Sequence, residues 1–342
     1  MRAIVFSNTG NGLGIAEHLT KEGHSVSVVM HPTDIREVEL LCSTNTPDMV
    51  FFDSTGHVKP AEYMRERGIR VLGPTKWSNL LEDNPEYNKQ LQEAIGLKAV
   101  PATTGARGEQ VTVCGWFNGN KFISKFLVFN YNKMMAGNLG TSVESSGYIA
   151  YFGDCKLVDQ VLTPIEKFLR KANHRGCFSI NLVIDSKGNL FSESVSANSN
   201  IPYTNSLYEN THKSKGDLVL AMFDPTSAPV DALDPYVCGV MLSVYPYPHA
   251  KPTTPLEIFG LNSANQKHFW QIDVSKVNEQ AIVGQLSGNA GFVTARGKTV
   301  QEAARRVYRT IANLKMEGIQ YRNDISKDVT EKMYRLRGFK LV

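Results

Sequence analysis

The chain has 342 residues, 42% of them hydrophobic and 20% charged, which fits two or three globular domains and excludes a disordered or fibrous chain. Lysine plus arginine number 37 against 33 acids, a net charge of +4 that is too small and too evenly spread for a nucleic-acid binder. No apolar run reaches the roughly 18–20 residues of a membrane span and no signal-peptide pattern opens the chain, so a cytoplasmic protein without membrane contact is expected.

Residues 2–6 predict a strand, closed by Ser7-Asn8-Thr9-Gly10-Asn11-Gly12-Leu13-Gly14. Leu13, Ile15, Ala16 and Leu19 then approximate one face of a helix ended by Gly23, and Ser25 to Met30 reads as a second buried strand. Met49 to Phe52, a helix near Ala61 to Arg67 and Ile69 to Leu72 complete the strand–helix alternation of a parallel sheet. Residues 79–96 read as one helix. From about 110 to 155 the pattern turns β-rich, with strands at Gln110 to Phe117 and Phe122 to Phe129 and turns at Asn118-Gly119-Asn120 and Ala136-Gly137-Asn138. A helix is expected over 162–174, then a hairpin of Phe178 to Ile184 and Leu190 to Glu193 joined by Asp185 to Asn189. After a linker at Pro225 to Pro229 come strands near Cys238 to Tyr245 and Gly291 to Ala295. Val300, Ala303, Ala304, Val307, Ile311 and Leu314 form the clearest helical stripe. Five scattered cysteines (Cys42, Cys114, Cys155, Cys177, Cys238), odd in number and without a CxxC pair, predict reduced thiols and neither a disulfide framework nor a zinc site.

Among chemistry-bearing residues, Gly10, Asn11, Gly12 and Gly14 follow a strand and open a helix, where backbone amides can face a phosphate; a tight strand–helix turn explains the same glycines. Glu193 ends a strand and is suited to a hard cation such as Mg²⁺, although an exposed strand-end glutamate is the ordinary case. Walker A and GxSxG motifs are absent.

Several stretches, in order, resemble the phosphoribosylamine–glycine ligase family of the ATP-grasp superfamily. They are Gly73-Pro74-Thr75-Lys76 with Leu81-Glu82, Gly96-Leu97 to Val100-Pro101-Ala102, Gly176-Cys177-Phe178-Ser179 to Glu193, and Gly288 to Gly297. The closing Gly318-Ile319-Gln320-Tyr321-Arg322-Asn323-Asp324-Ile325 is the most specific. The resemblance implies an α/β (α+β) fold: a Rossmann-like domain (1–76), a shortened ATP-grasp core (77–225), a small C-terminal domain (230–327) and a tail (328–342). It also implies an ATP- and Mg²⁺-dependent carboxylate–amine ligase. In it, Glu193 would hold the metal, with Asn198 joining through a small register shift, Arg107 or Lys133 would replace a lost nucleotide lysine, and Gly73, Pro74, Thr75 and Lys133 would line the phosphate or substrate site with the first glycine loop.

The chain departs from that family where the chemistry is concentrated. Pro85 stands where a nucleotide-contacting lysine opens the helix, and Thr103 to Gly108 leaves no room for the second lysine and its glycine-rich loop. The β-rich lid is shortened by several dozen residues. Val195 and Ala197 replace the metal-binding asparagine and the following arginine, and Ser54-Thr55-Gly56 replaces the family's substrate loop. Two lost charge-assisted hydrogen bonds weaken nucleotide binding by roughly 10²–10⁴-fold. Two readings therefore stand side by side: a divergent ligase acting on a small-molecule substrate, and a non-catalytic binding or structural protein with a ligand or protein partner.

Overall fold

The computed structural model describes residues 1–31, 40, 43, 46–100, 108–197 and 202–342. Its first unit is built from β1 (Arg2–Ser7), α1 (Leu13–Lys21), β2 (Ser25–Met30), β3 (Met49–Phe52), α2 (Val58–Glu66) and β4 (Arg70–Leu72). The four strands are parallel in the order β2-β1-β3-β4, the arrangement expected of a Rossmann-like unit. Apolar runs make β1 and β3 central, and Phe6 stacks on Phe52 with ring centroids 5.0 Å apart. The expectation of a buried β2 is corrected. It lies at the sheet edge, and none of its six residues is buried, since an edge strand's faces are only partly covered by neighbouring elements.

The single helix read over 79–96 is two, α3 (Lys76–Asp83) and α4 (Pro85–Ala94). Pro85 pushes Asn84 into extended geometry, and the Asn84 side chain accepts from Tyr87 N at 3.0 Å to start the second helix. The position matched to a nucleotide lysine is thus the first residue of a helix that its own proline begins.

Next come β5 (Lys98–Ala99), β6 (Glu109–Phe117), β7 (Phe122–Met135), β8 (Leu139–Tyr151), α5 (Lys156–Lys171), β9 (Gly176–Ile184), β10 (Leu190–Ser196), α6 (Asn205–Glu209) and α7 (Lys215–Ala221). The helix expected over 162–174 begins six residues earlier and runs through Pro164. A buried stripe of Leu157, Val161, Leu162, Ile165 and Leu169 outweighs the backbone hydrogen bond that the proline cannot make. The remaining elements are β11 (Tyr236–Val244), β12 (Leu256–Glu257), β13 (Phe269–Gln271), β14 (Val274–Val277), β15 (Gln280–Val283), β16 (Asn289–Gly297), α8 (Val300–Ala312), β17 (Ile319–Gln320) and α9 (Val329–Gly338).

Ten strands form one sheet in the order β13-β16-β11-β8-β7-β6-β9-β10-β5, with β17 paired to β11. Strands on both sides of the linker at 225–229 share this sheet, since β11 pairs with β8 across five residue pairs. Residues 328–342, expected as a tail, carry α9, whose Val329, Met333 and Leu336 are buried. A three-stranded sheet, β12-β15-β14, sits apart. The first unit docks on the ten-stranded sheet through α1, where His18 stacks 4.1 Å from the Trp270 ring of β13. Burial there pushes the His18 imidazole down to about 4, helped by nearby Lys215. No helix is long and apolar enough to cross a membrane among the described residues.

Candidate functional site

Glu193 owes its position to two local devices. Asp185 accepts the amides of Lys187 and Asn189 at 2.8 and 2.9 Å, which closes the β9–β10 hairpin with Gly188 in left-handed backbone. The pairing then slips between Ser192 and Ser194, so Glu193 is the extra residue of a β-bulge. A bulge re-aims a side chain, and this one lines a cleft of about 460 Å³.

The cleft floor consists of polar residues spaced two apart on neighbouring strands: Gln110 and Thr112 of β6, Asn130 and Asn132 of β7, Ser179 and Asn181 of β9. Thr112 and Asn181 are cross-strand partners, and the Thr112 hydroxyl donates to Asn181 Oδ1 at 2.7 Å. Asn181 passes a hydrogen bond to Ser194 Oγ at 2.9 Å. Gln110 Nε2 lies 3.4 Å from Glu193 Oε1, and Ser196 donates to Glu82 Oε1 at 2.6 Å. Asn130 uses its amide N–H groups on Asn132 Oδ1 and Glu144 O, both at 3.0 Å, while its own Oδ1 is buried without a partner. Among the described residues, every charged side chain lining the cleft is a glutamate: Glu82, Glu144 and Glu193. Partial burial in the cleft wall pushes the Glu144 carboxyl up to about 7, while the residue remains solvent-exposed.

The family-implied residues fall as follows. Val195, matched to the metal-binding asparagine, is buried, and Asn88 holds its backbone through Val195 N at 3.3 Å and Val195 O at 2.8 Å. Ala197 is likewise buried. Arg107 and Asn198 lie outside the described residues. Lys133 does not line the cleft. Its carbonyl accepts from Ser146 Oγ at 2.7 Å and Arg322 Nη1 at 3.2 Å, so the strand is tied to the C-terminal motif there. In that motif Arg322 pairs with Asp324 at 2.5 Å, lies 4.6 Å from the Tyr131 ring and is almost wholly buried. Gly137 N donates to Asp324 at 2.8 Å. The motif therefore clamps the β7–β8 hairpin.

In the first glycine loop, the amides face an acid of the chain itself. Asp53, buried at the end of β3, accepts from Asn8 N at 3.1 Å, Gly12 N at 2.9 Å and Thr9 Oγ1 at 3.3 Å, and from the Ser7 hydroxyl. The glycines answer a close approach by another segment. A Cβ on Gly10, whose φ is +86°, would sit 2.1 Å from the Ile272 carbonyl oxygen, and one on Gly14 would crowd the backbone of Gln271. Beside the loop, Asn11, Gly12, Asp53, Trp116, Cys177 and Tyr208 border a crevice of about 80 Å³, and Trp116 Nε1 is buried there without a partner. Gly73 and Pro74 present their carbonyls to Arg65 at 2.9 and 2.8 Å, and Thr75 caps α3 in a reciprocal box with Ser78.

Sequence reading missed Glu82, Glu144, Asn130 and Asn181. The available signal was the two-residue spacing of polar groups within otherwise apolar strands, as in Asn130/Asn132 and Ser179/Asn181.

Solved structures share this architecture. The chain superposes on the phosphoribosylamine–glycine ligase of Thermotoga maritima with a TM-score of 0.70 at 17% identity, covering 95% of this chain and 100% of that one. A biotin carboxylase–β,γ-ATP complex from Campylobacter jejuni gives 0.64 at 10% identity, covering 98% and 96%. The urea carboxylase of Kluyveromyces lactis gives 0.66 at 9%, covering 97% of this chain and 32% of that one. These likenesses establish the ATP-grasp fold. No family model matches the sequence, and no curated protein matches it.

The described lining of the cleft brings no cationic side chain to a nucleoside triphosphate: its charged groups are carboxylates set among neutral amides and hydroxyls, and like charges 4 Å apart repel by about 4 kcal/mol at an effective dielectric of about 20. For Mg²⁺, Glu193 supplies one oxygen ligand, but no three histidine, cysteine or acidic side chains converge among the described residues.

Proposed function

We propose that this chain uses its ATP-grasp scaffold to bind a small organic ammonium compound in the acidic cleft and does not run ATP-driven ligation. The observation that carries the reading is the cleft's inventory of acceptors: three glutamates and the unpartnered Asn130 Oδ1. A buried acceptor without a donor costs free energy, and an ammonium group supplies three donors and a compensating charge. A volume of about 460 Å³ suits an organic molecule and exceeds what a bare ion fills. Cleft residues Glu193 and Glu144 would hold the charge, with Gln110 and Asn181 orienting it.

The test is a thermal-melt titration with putrescine and spermidine, then with ATP and Mg²⁺, on wild type and on Glu193→Gln. An amine-dependent rise that shrinks in Glu193→Gln, with no response to ATP, is the expected result. A Mg²⁺-dependent rise with ATP overturns the reading.

One observation favours the ligase reading: a carboxyl raised to about 7 is suited to proton transfer near neutral pH, and Glu144 sits in the cleft with Glu193. That reading requires ATP turnover that falls at least tenfold in Glu193→Gln.

A further inference from the structure

A third cavity, of about 290 Å³, lies between the start of β4, the end of α2 and the turn that follows α5. Arg65, Arg70, Thr75, Asn173, Arg175 and Phe223 line it, and it shares no lining residue with the acidic cleft or the glycine-loop crevice. Its charged side chains are all arginines.

They are not equivalent. Arg65 is ion-paired, donating to Glu62 Oε1 and Pro74 O at 2.8 Å and to Gly73 O at 2.9 Å. Arg175 is half-buried, and among the described residues it has one hydrogen bond, from Nη1 to Asn118 O at 2.8 Å, and no ion pair. Its guanidinium lies 5.9 Å from the centroid of the Phe223 ring. Burial alone draws its pKa below the ordinary arginine value, with no acid opposing it. Arg70 is exposed at the cavity edge and forms no ion pair among the described residues.

Among the described residues none of the nearby acids forms an ion pair with Arg175 or Arg70. Glu62 is committed to Arg65. Asp48 accepts from Arg2 N at 2.7 Å and feels Arg70 at longer range. Asp224, next to Phe223, spends both oxygens on Thr226 and Ser227. The arginines of the cavity without an ion-pair partner among the described residues are Arg175 and, at the mouth, Arg70.

The placement of Arg175 is built into the backbone. A Cβ on Gly119, which has φ +91°, would meet Arg175 Nη1 at 2.4 Å, so this turn makes room for the guanidinium. A half-buried guanidinium with unused donors matches the paired oxygens of a phosphate, and Phe223, Ile69 and Val71 add an apolar wall beside it.

We propose that this cavity binds a small phosphate monoester, with Arg175 as the principal grip and Arg70 at the mouth. The volume is near the lower end for small-molecule pockets, which limits the organic part to a few carbons.

The experiment is isothermal titration calorimetry of the full chain with inorganic phosphate and with glycerol 3-phosphate, at ionic strength held constant with chloride. Saturable binding of both, tighter for the ester, is expected, and Arg175→Gln should weaken it at least tenfold. Phosphate binding without preference for the ester supports the grip and overturns the monoester assignment. No saturable binding, or equal binding by folded Arg175→Gln, overturns the proposal. If Arg175→Gln fails to fold, Arg70→Gln and Phe223→Leu decide. A loss of threefold or more in ester affinity supports the site, and unchanged affinity in both removes it.

Discussion

Replacing Asp53 by alanine tests whether the glycine loop is held by its own chain. The carboxylate accepts from the amides of Gly12 at 2.9 Å and Asn8 at 3.1 Å, and from the hydroxyls of Ser7 and Thr9. The hydroxyls can rotate toward other acceptors; the two amides cannot. Each amide left unpaired costs about 1–3 kcal/mol, so Asp53→Ala should lose about 2–6 kcal/mol of stability. Urea titration followed by tryptophan fluorescence reads this directly, because Trp116 borders the same crevice. The vacated space has the shape of a carboxylate, so acetate should stabilise the variant more than wild type. At about 100 times its dissociation constant, a ligand adds about 2.7 kcal/mol. A loss below about 1 kcal/mol, or equal stabilisation of both proteins by acetate, refutes the reasoning.

Further outcomes follow from neighbouring contacts. Gly10→Ala should cost roughly 2–4 kcal/mol in urea unfolding, since the new Cβ would meet the Ile272 carbonyl in left-handed backbone; an unchanged midpoint would contradict the close approach. His18 is held neutral in the fold, its pKa lowered to about 4 by burial, so the stability it protects is full above about pH 6.5 and is lost as pH falls toward 4. The lost amount is about 3 kcal/mol, and His18→Leu should flatten the stability–pH curve over that window. Arg322→Met removes the charge partner of Asp324, leaving Gly137 N as its donor, and should destabilise the protein by about 1.5–3 kcal/mol, measured by urea midpoint; the double variant Arg322→Met/Asp324→Asn, which keeps an acceptor for Gly137 N without the charge, should recover part of it.

Much of the architecture was legible because it depends on short-range pattern. The stripe from Val300 to Leu314 contains α8, and the Asp185 to Asn189 turn closes the hairpin it announced. The ATP-grasp fold followed from the order of several such stretches. The break at Pro85 was written in the residues, but helical spacing on either side masked it. What local pattern does not carry is the partner of a loop. Gly12 reads equally well as a phosphate cradle and as a turn until Asp53, forty-one residues away, is placed against it. The acidic cleft is harder still, because its side chains come from β6, β7, β8, β9, β10 and α3 and meet only through strand pairing. Glu193 was found on its own, whereas its bulge depends on a register that no single strand encodes.

The five-pair ladder between β8 and β11 also bears on how this molecule can move. Segments before and after the 225–229 linker are sewn into one sheet, so rotating one past the other would break a row of backbone hydrogen bonds together. The four-stranded sheet is joined to the rest through side-chain and loop contacts, with His18 on Trp270 and Gly10 against Ile272. That seam is where separation would break no strand ladder. It borders the crevice beside Trp116, whereas the floor of the acidic cleft is strand-paired throughout, a frame whose shape is set before anything arrives.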